Sequence, residues 1–581
     1  MTTAKAVCVV ALSLALSACD NILGLKDLDA IDDTKLWTDP GLAQAFISRI
    51  YADNLPGWST GDANNSDESP GGNAYMYGLL TENSVAYWCI RATGCEHPPY
   101  DRLRSINILL ADIDQGTLDT ALTKRMKGEA HFFRAWDYWE LVKRYGGVPL
   151  ILKPQALTDS LFVRRDSTSK VIRQIVADLD SAIALLPAAR ATSPDNNGRV
   201  HKGTAMAVKG RVLLYYASPQ FNRTGDVTRW QNAYDANLAA RDYLASHGFG
   251  LYPDFAGLWF ADMNKEAVFV RRYLYSQSAV RREEHGEEIG GVHRWAAATR
   301  PLDVSQGATG ANRPTLEMVN AFPMRDGRPI AGNPAYDTLY FWKNRDPRFY
   351  ATIAYNGAVW ELNGVTGRRQ WTYVGAESNN PTPSGFYTRK AVNPEDDAFQ
   401  AFNGQTQWIE LRYAEVLMNL AEAANAIGNT QVAYDQIIAL RARARIDPGA
   451  GLYGLDAAMT TAQMQNAIMH ERQIEFAYEA KRHWDLRRNM LFESLLNGTR
   501  RRALKVTLLV PVATWNAVRD TVDLDSTYPQ YFSHQVINLD PQPITWQLNY
   551  YFYAIPQAHI QLNANLQQTM GWANGTFDPL P

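Results

Sequence analysis

The chain has 581 residues, of which 46% are hydrophobic and 20% are charged, a composition typical of a globular protein with room for more than one subdomain. Its formal net charge of −3 argues against a nucleic-acid partner, which requires a strongly basic face. It contains 16 Trp, 29 Tyr and 20 Phe, so rings are plentiful both for core packing and for stacking on a ligand.

An export signal is the first predicted element. Lys5 precedes an apolar run that ends at Ala18, which is the layout of a secretory signal. The run is too short to span a bilayer, which takes about 20 apolar residues. Its last residues, Leu16-Ser17-Ala18-Cys19, resemble the bacterial lipobox, in which cleavage precedes a cysteine that carries diacylglycerol. We therefore expect a signal peptide over residues 1–18, a lipidated Cys19 and an acidic tether over residues 19–35. A secreted protein without lipid is the alternative.

Two further cysteines, Cys89 and Cys95, lie close together in "YWCIRATGCEH". In an oxidising compartment they can form a disulfide, although two reduced thiols fit the spacing equally well. The sequence does not predict a zinc site, because His97 is the one histidine nearby to join the two cysteines. No ordered spacing of acidic residues predicts calcium, and we predict neither a metal nor a cofactor.

Helical periodicity dominates the next part of the chain. In Gly128–Ile151, aromatic and aliphatic residues recur at spacings of three and four on two faces, so this helix should be packed between others. Gly146 and Gly147 should end it. The segments Lys202–Gly248 and Leu411–Ala444 have the small residues and turn signals of tetratricopeptide-like helix pairs.

The middle of the chain differs in composition. Residues 251–407 are rich in Gly, Pro and Asn, which predicts loops, short helices and a small sheet. Loops on a rigid scaffold often bind ligands.

Six strings, in this order, resemble the signatures of the SusD/RagB family of nutrient-binding outer-membrane lipoproteins of Bacteroidetes. They are "GEAHFFRAWDYWELVKRYGGVPLI", "RPTLEMVNAFPMRDGRPI", "RDPRF", "LRYAEVLMNLAEAAN", "ERQIEFAYEAKRHWDLRR" and "YAIPQAHIQLNANLQQTMGW". The resemblance implies an all-α fold in which tetratricopeptide-like helix pairs support a loop-rich, ligand-binding insertion region. It also implies a lipid-anchored protein of the outer membrane, facing the cell exterior, that passes an oligosaccharide or a peptide to a SusC-like TonB-dependent transporter.

The same resemblance divides the mature chain into two regions. The predicted regions are 36–250, the N-terminal helical part, and 251–581, the C-terminal SusD/RagB part, itself divided into 251–407 (loop-rich), 408–490 (helical) and 491–581 (loop-rich).

Candidate ligand contacts are aromatic and polar residues in the Gly-rich loops, since sugars stack their C–H faces on rings and hydrogen-bond through their hydroxyls. The resemblance places such contacts in an early inter-helix loop and just ahead of "RPTLEMVNAF". The candidates are Tyr87, Trp88, Arg91, Tyr100, His293 and Trp295. For each of them, packing in the core is the alternative.

A catalytic function has little support in the sequence. The chain contains no H-E-x-x-H, G-x-S-x-G, P-loop or G-x-G-x-x-G motif. Glu471, Glu475 and Glu479 stand at helical spacing and are interpreted as a solvated or inter-helix face rather than as catalytic acids. We predict a binding protein without enzymatic activity. A surface glycoside hydrolase, whose two carboxylates leave no local motif, and a structural helical-repeat scaffold remain the alternatives.

Overall fold

The computed structural model describes residues 33–59, 62–84, 99–156, 158–193, 196–274, 291–307 and 309–580. The predicted signal peptide, Cys19 and most of the tether lie outside the described residues, as do Tyr87, Trp88, Cys89, Arg91 and Cys95.

The N-terminal half is built from helices. In chain order they are α1 (Asp33–Leu36), α2 (Pro40–Asn54), α3 (Asn73–Met76), α4 (Tyr100–Asp112), α5 (Thr120–Tyr145), α6 (Thr168–Leu185), α7 (Lys202–Ala217) and α8 (Val227–Ser246).

The C-terminal half mixes short and long helices. They are α9 (Trp295–Thr299), α10 (Leu316–Ala321), α11 (Pro347–Thr352), α12 (Ala398–Phe402), α13 (Tyr413–Ala426), α14 (Thr430–Arg443), α15 (Thr461–Glu475), α16 (Arg482–Arg488), α17 (Phe492–Leu495), α18 (Val512–Asn516), α19 (Leu524–Tyr531) and α20 (Gln557–Leu562).

Strands are few and short. They are β1 (Ala267–Arg271), β2 (Ile353–Ala354), β3 (Ala358–Val359), β4 (Arg369–Gln370), β5 (Tyr387–Thr388), β6 (Trp408–Arg412), β7 (Arg502–Leu508) and β8 (Phe532–Asn538). Within the described residues they form two-stranded antiparallel sheets, which pair β1 with β6, β2 with β5, β3 with β4 and β7 with β8.

Helix α5 shows how the sequence fixes its local structure. Asp119 caps its N-terminus by accepting a hydrogen bond from the Ala121 N–H at 2.8 Å. Gly146, at φ +72°, follows its last residue, as the sequence predicts. Trp139 is 1% exposed and Tyr138 is 0% exposed, so side chains on both sides of the helix are buried. This burial confirms that the helix is packed between others.

The predicted tetratricopeptide-like pairs are also present. Helix α7 packs on α8, and α13 packs on α14 and on α8. Gly428, at φ +85°, makes the turn between α13 and α14, and the buried methyl groups of Ala421 and Ala424 let neighbouring helices approach. The all-α repeat fold is therefore confirmed, whereas the domain boundaries drawn from the sequence stay a prediction.

The described residues contain two large hydrophobic cores and one small cluster, formed by Leu214, Ala217, Ala233 and Ala423. The larger core is formed by the helical pairs together with the C-terminal residues 544–572. The second core, rich in aromatic rings, lies beneath the loop-rich segment 255–409 and includes residues 474–478 and 504–532. In the described parts of the chain, no helix combines the length and the apolar character that crossing a membrane requires.

Buried ion pairs connect α15 and the residues just after it to helix α11 and to strand β6. Glu475 is 0% exposed, and its carboxylate lies 2.8 Å from Arg412 Nη1 and 2.9 Å from Arg348 Nη1. Glu479 lies 2.8 Å from Arg412 Nε, and Glu471 lies 2.6 Å from Arg348 Nη1. The sequence predicted a solvated or inter-helix face for Glu471, Glu475 and Glu479. In the structure all three are buried, and they form ion pairs with arginines of other elements.

Candidate functional site

Tyr100, the first described residue among the candidates, opens helix α4. Its side chain is partly buried, and its hydroxyl donates a hydrogen bond to the carbonyl oxygen of Pro149 at 3.0 Å. Burial raises the pKa of this hydroxyl well above its usual value. The contact ties the start of α4 to the segment that follows α5, so the hydroxyl has a structural partner within the protein.

His293 is 7% exposed, and its ring is fixed by a hydrogen bond from the backbone two residues later. The Trp295 N–H donates to its Nδ1 at 3.2 Å, so Nδ1 carries no proton. Burial lowers the pKa of the imidazole to about 3, and the ring is neutral at physiological pH. Gly404 packs so closely that a Cβ at this position would lie 2.6 Å from His293 Cε1.

Trp295 lies in the core. Its side chain is 1% exposed, its Nε1–H donates to the carbonyl oxygen of Lys390 at 3.1 Å, and the ring of Trp58 stacks on it at a centroid distance of 4.7 Å. A ligand could reach this ring only after its neighbours moved. The burial of Trp295 therefore agrees with the alternative stated for each candidate, in which the ring packs in the core.

His293 and Trp295 belong to a larger aromatic cluster. Its other members are Trp58, Trp259, Tyr273 and Trp408. Trp259 and Trp408 are 1% and 2% exposed, whereas Trp58 and Tyr273 are only partly buried. The cluster therefore has a buried base and a rim formed by Trp58 and Tyr273.

The rim residues are held in place by polar contacts. Trp58 donates from Nε1 to the carbonyl oxygen of Thr406 at 2.9 Å, which fixes the tilt of its ring. The Arg271 guanidinium lies over the Tyr273 ring, 5.1 Å from its centroid. Rings fixed in this way can stack on a sugar without losing further side-chain freedom.

Sequence reasoning missed Trp58, although a usable signal was present. The residue lies in "NLPGWST", a polar loop with Pro and Gly, and so meets the criterion that selected Trp88. Tyr273 follows a strand of buried residues and gave no comparable signal. Of the predicted residues that the structure describes, His293 and Trp295 are brought together, and Tyr100 lies apart from them against Pro149.

Over residues 33–580, apart from the segments that are not described, no three His, Cys, Asp or Glu side chains are grouped so as to hold an ion.

Comparison with known proteins identifies the family. Residues 265–572 match the model described as the SusD family, which is more than half of the chain. The chain belongs to the SusD family. A second model, described as "Starch-binding associating with outer membrane", matches residues 73–214 of this SusD family protein. The resemblance seen in the sequence is confirmed.

Individual relatives are distant. The SusD family protein is 25% identical to SusD-like protein P2 of Formosa agariphila over 368 residues, which are 62% of this chain and 64% of that protein. The match thus spans less than two thirds of that relative's length.

Solved structures share the fold over nearly the whole chain. A SusD-like protein from Bacteroides fragilis NCTC 9343 superimposes with a TM-score of 0.72 at 23% identity, covering 94% of this chain and 99% of that one. A SusD-like carbohydrate-binding protein from the same strain gives a TM-score of 0.69 at 21% identity, covering 92% and 100%. At these identities the similarity establishes a common fold for the SusD family protein and these two structures.

Proposed function

We propose that this SusD family protein binds an oligosaccharide at the outer membrane and delivers it, chemically unchanged, to a TonB-dependent transporter. The observation that carries the proposal is the match of residues 73–214 to a model described as starch-binding and associating with the outer membrane. A similarly folded protein described as carbohydrate-binding supports it.

The rim of the aromatic cluster supplies a chemical basis for glycan binding. Trp58 and Tyr273 present ring surface, and the apolar C–H face of a pyranose stacks on such surfaces. The guanidinium of Arg271 lies beside Tyr273 and can donate hydrogen bonds to sugar hydroxyls. Tyr87, Trp88 and Arg91 remain proposed contacts on the basis of the family resemblance.

Binding without turnover is the form of the proposal that the sequence favours. Neither a nucleophile motif nor a phosphate-binding loop is present in the sequence. A hydrolase would need two carboxyl groups on either side of one glycosidic bond. The appearance of shorter products would therefore distinguish catalysis from binding.

Calorimetry on the full-length protein in mild detergent tests the proposal, with maltoheptaose and a panel of soluble polysaccharides as probes. We expect one glycan class to bind with a Kd in the micromolar range, corresponding to about −8 kcal/mol, because a delivery protein must also release its cargo. Trp58→Ala should weaken binding by about 1–3 kcal/mol, by analogy with the stacking of nucleobases on aromatic side chains.

The matched control is Trp230→Ala, which removes another partly buried tryptophan. It lies on helix α8 and packs against the small apolar cluster of Leu214, Ala217, Ala233 and Ala423, which shares no residue with the aromatic cluster. This substitution should leave the Kd unchanged. Product chromatography on the same samples should show intact oligosaccharide. If no glycan binds, or if the wild-type protein shortens its ligand, the proposal fails.

A further inference from the structure

A small cleft lies between the β3–β4 strand pair and the start of helix α19. Its volume is about 160 Å³, and its lining includes Trp342, Tyr355, Arg369, Asp523 and Asp525. Pockets for drug-sized ligands are larger, at roughly 300–1,000 Å³, so this cleft suits a single small ring rather than an oligomer. None of the ligand residues predicted from the sequence lines it.

The backbone around the cleft is built for close approach. Strands β3 and β4 pair Val359 with Arg369, which places the arginine on the wall opposite α19. Gly357 has φ +89°, and a Cβ there would lie 2.5 Å from Leu524 Cδ1. Glycine is therefore required both for the turn and for the contact with α19.

The aromatic wall is rigid. Trp342 and Tyr355 stack with a centroid distance of 5.3 Å and an interplanar angle of 18°, and Phe349 also packs against Tyr355, with a centroid distance of 5.8 Å. Trp342 Nε1–H donates to Asp525 Oδ1 at 2.9 Å. The Tyr355 hydroxyl forms no hydrogen bond with another residue of the described chain. The wall thus presents ring edges and one available hydroxyl.

The opposite charges of the cleft do not neutralise each other by contact. Within the described residues, Arg369 has no carboxylate within ion-pair distance, and its Nη1 lies 3.5 Å from the carbonyl oxygen of Gly357. Asp523 caps α19 by accepting hydrogen bonds from the Asp525 N–H at 3.0 Å and the Ser526 hydroxyl at 2.7 Å. These two hydrogen bonds, with Lys343 and Arg369 nearby, lower the pKa of Asp523, so its carboxylate is charged at neutral pH.

This charge pattern selects against a simple anion and against a simple cation. The carboxylates of Asp523 and Asp525 repel an anion that Arg369 would otherwise bind. Arg369 repels a cation, as does Lys343, whose ammonium donates to the carbonyl oxygen of Asp525. A neutral ligand with several hydroxyl groups satisfies both walls, because each hydroxyl can donate to a carboxylate or accept from a guanidinium.

We infer that this cleft binds one neutral sugar unit, or a small polyol of the same chemistry, with its hydroxyls between Asp525 and Arg369 and its edge against Trp342 and Tyr355. The inference is independent of the aromatic rim at Trp58 and Tyr273, since no residue is shared. The sugar unit can be the end of a glycan chain or a free monosaccharide, and the experiment separates these sources.

Saturation-transfer difference NMR on the full-length protein in detergent tests the inference. The probes are the methyl glycosides of glucose, galactose and mannose, glycerol, and maltoheptaose. We expect at least one to bind with a Kd in the millimolar range. Arg369→Gln and Asp525→Asn should each weaken binding about tenfold, the loss expected for one charge-assisted hydrogen bond. Asp525→Asn retains an oxygen acceptor for Trp342 and should therefore fold.

The matched control is Arg519→Gln, which changes an arginine that is 42% exposed and lies outside the cleft. It should bind the probe like the wild type. Contact with methyl glycosides would identify a monosaccharide site, and contact confined to the end unit of maltoheptaose would identify a chain-end site.

The inference is overturned if no probe binds at tens of millimolar, or if Arg369→Gln and Asp525→Asn bind as the wild type does. It is also overturned if the cleft takes up Ca²⁺ in competition with the probes. Near-ultraviolet circular dichroism establishes whether each variant is folded. If Arg369→Gln does not fold, Asp525→Asn alone decides the test.

Discussion

Glu68 is a buried carboxyl group whose pKa lies close to neutral pH. Its side chain is 1% exposed, and burial raises its pKa from 4.5 to about 8, although its Oε1 accepts a hydrogen bond from the Tyr478 N–H at 2.9 Å. The neighbouring Asp67 carboxylate raises the pKa further. Glu68 therefore holds a proton in the folded protein under conditions in which the unfolded chain has lost it.

This difference makes stability depend on pH. Between pH 4.5 and about 8 the folded state binds more protons at Glu68 than the unfolded state does, so the free energy of unfolding falls as the pH rises. Glu68→Gln keeps an oxygen acceptor for Tyr478 and removes the titration. As the pH is raised from 5 to 8.5, the free energy of unfolding should fall further for the wild type than for this variant. We expect the difference between the two to change by a few kcal/mol, at roughly 1.4 kcal/mol per pKa unit.

Urea unfolding at both pH values measures the effect. Glu395→Gln, at an exposed position, is the control and should follow the wild type. Parallel pH dependences for Glu68→Gln and the wild type would show that Glu68 is already ionised in the folded protein.

Single residues also mark the limit of sequence reasoning. Trp295 follows a Gly-rich stretch and was predicted to contact ligand, yet its ring is enclosed by Trp58 and its Nε1 is bound to the Lys390 carbonyl. These partners come from distant parts of the chain. Composition around a residue indicates the type of loop, but it does not reveal which remote side chain will cover a ring.

At the scale of elements, helix α15 is held by charge rather than by apolar contact alone. Burial by itself would raise the pKa of Glu475, but Arg443, Arg412 and Arg348 hold it well below its usual value. Removing one member of such a network leaves the remaining charges buried without full compensation. The network should therefore be sensitive to a change that alters charge and preserves shape.

Glu475→Gln is that change. It leaves three guanidinium groups facing one fewer carboxylate, and we expect the free energy of unfolding to fall by about 3–5 kcal/mol. Equilibrium urea unfolding measures it. Asp447→Asn is the control, because the Asp447–Arg325 pair spans 3.2 Å but its side chains are 54% and 59% exposed. Exposed pairs contribute about 0–1 kcal/mol, so equal losses in both variants would contradict the proposed role of the buried network.

Elements were predictable where their signal was local. The pairs α7–α8 and α13–α14 follow from periodic small and apolar residues and from turn glycines, all within one stretch of sequence. The β7–β8 sheet was not predicted, since its strands are separated by two short helices and its register depends on that spacing. The cleft at Arg369 and Asp525 was missed for the same reason, because its walls are far apart in sequence.

At the scale of the whole molecule, the proposed function requires the chain to stay at the outer membrane. The predicted means is acylation of Cys19. Each acyl methylene buried in a bilayer contributes about 0.8 kcal/mol, and stable anchoring needs more than one chain. A lipidated Cys19 would keep the helical body beside a transporter at high effective concentration, so that delivery needs only a modest contact between the two proteins.

Cys19→Ala should abolish both anchoring and transporter association, because lipid attachment requires the sulfur of this residue. In cells grown with labelled palmitate, the wild type should carry label and form a crosslink to a large β-barrel transporter, and the variant should do neither. Cys8→Ala is the matched control, since Cys8 precedes the predicted cleavage site and should be removed with the signal peptide. A Cys19→Ala chain that is still cleaved after residue 18 and retained on the outer membrane would contradict the anchor. A labelled wild type that crosslinks to no transporter would leave the anchor in place and contradict delivery.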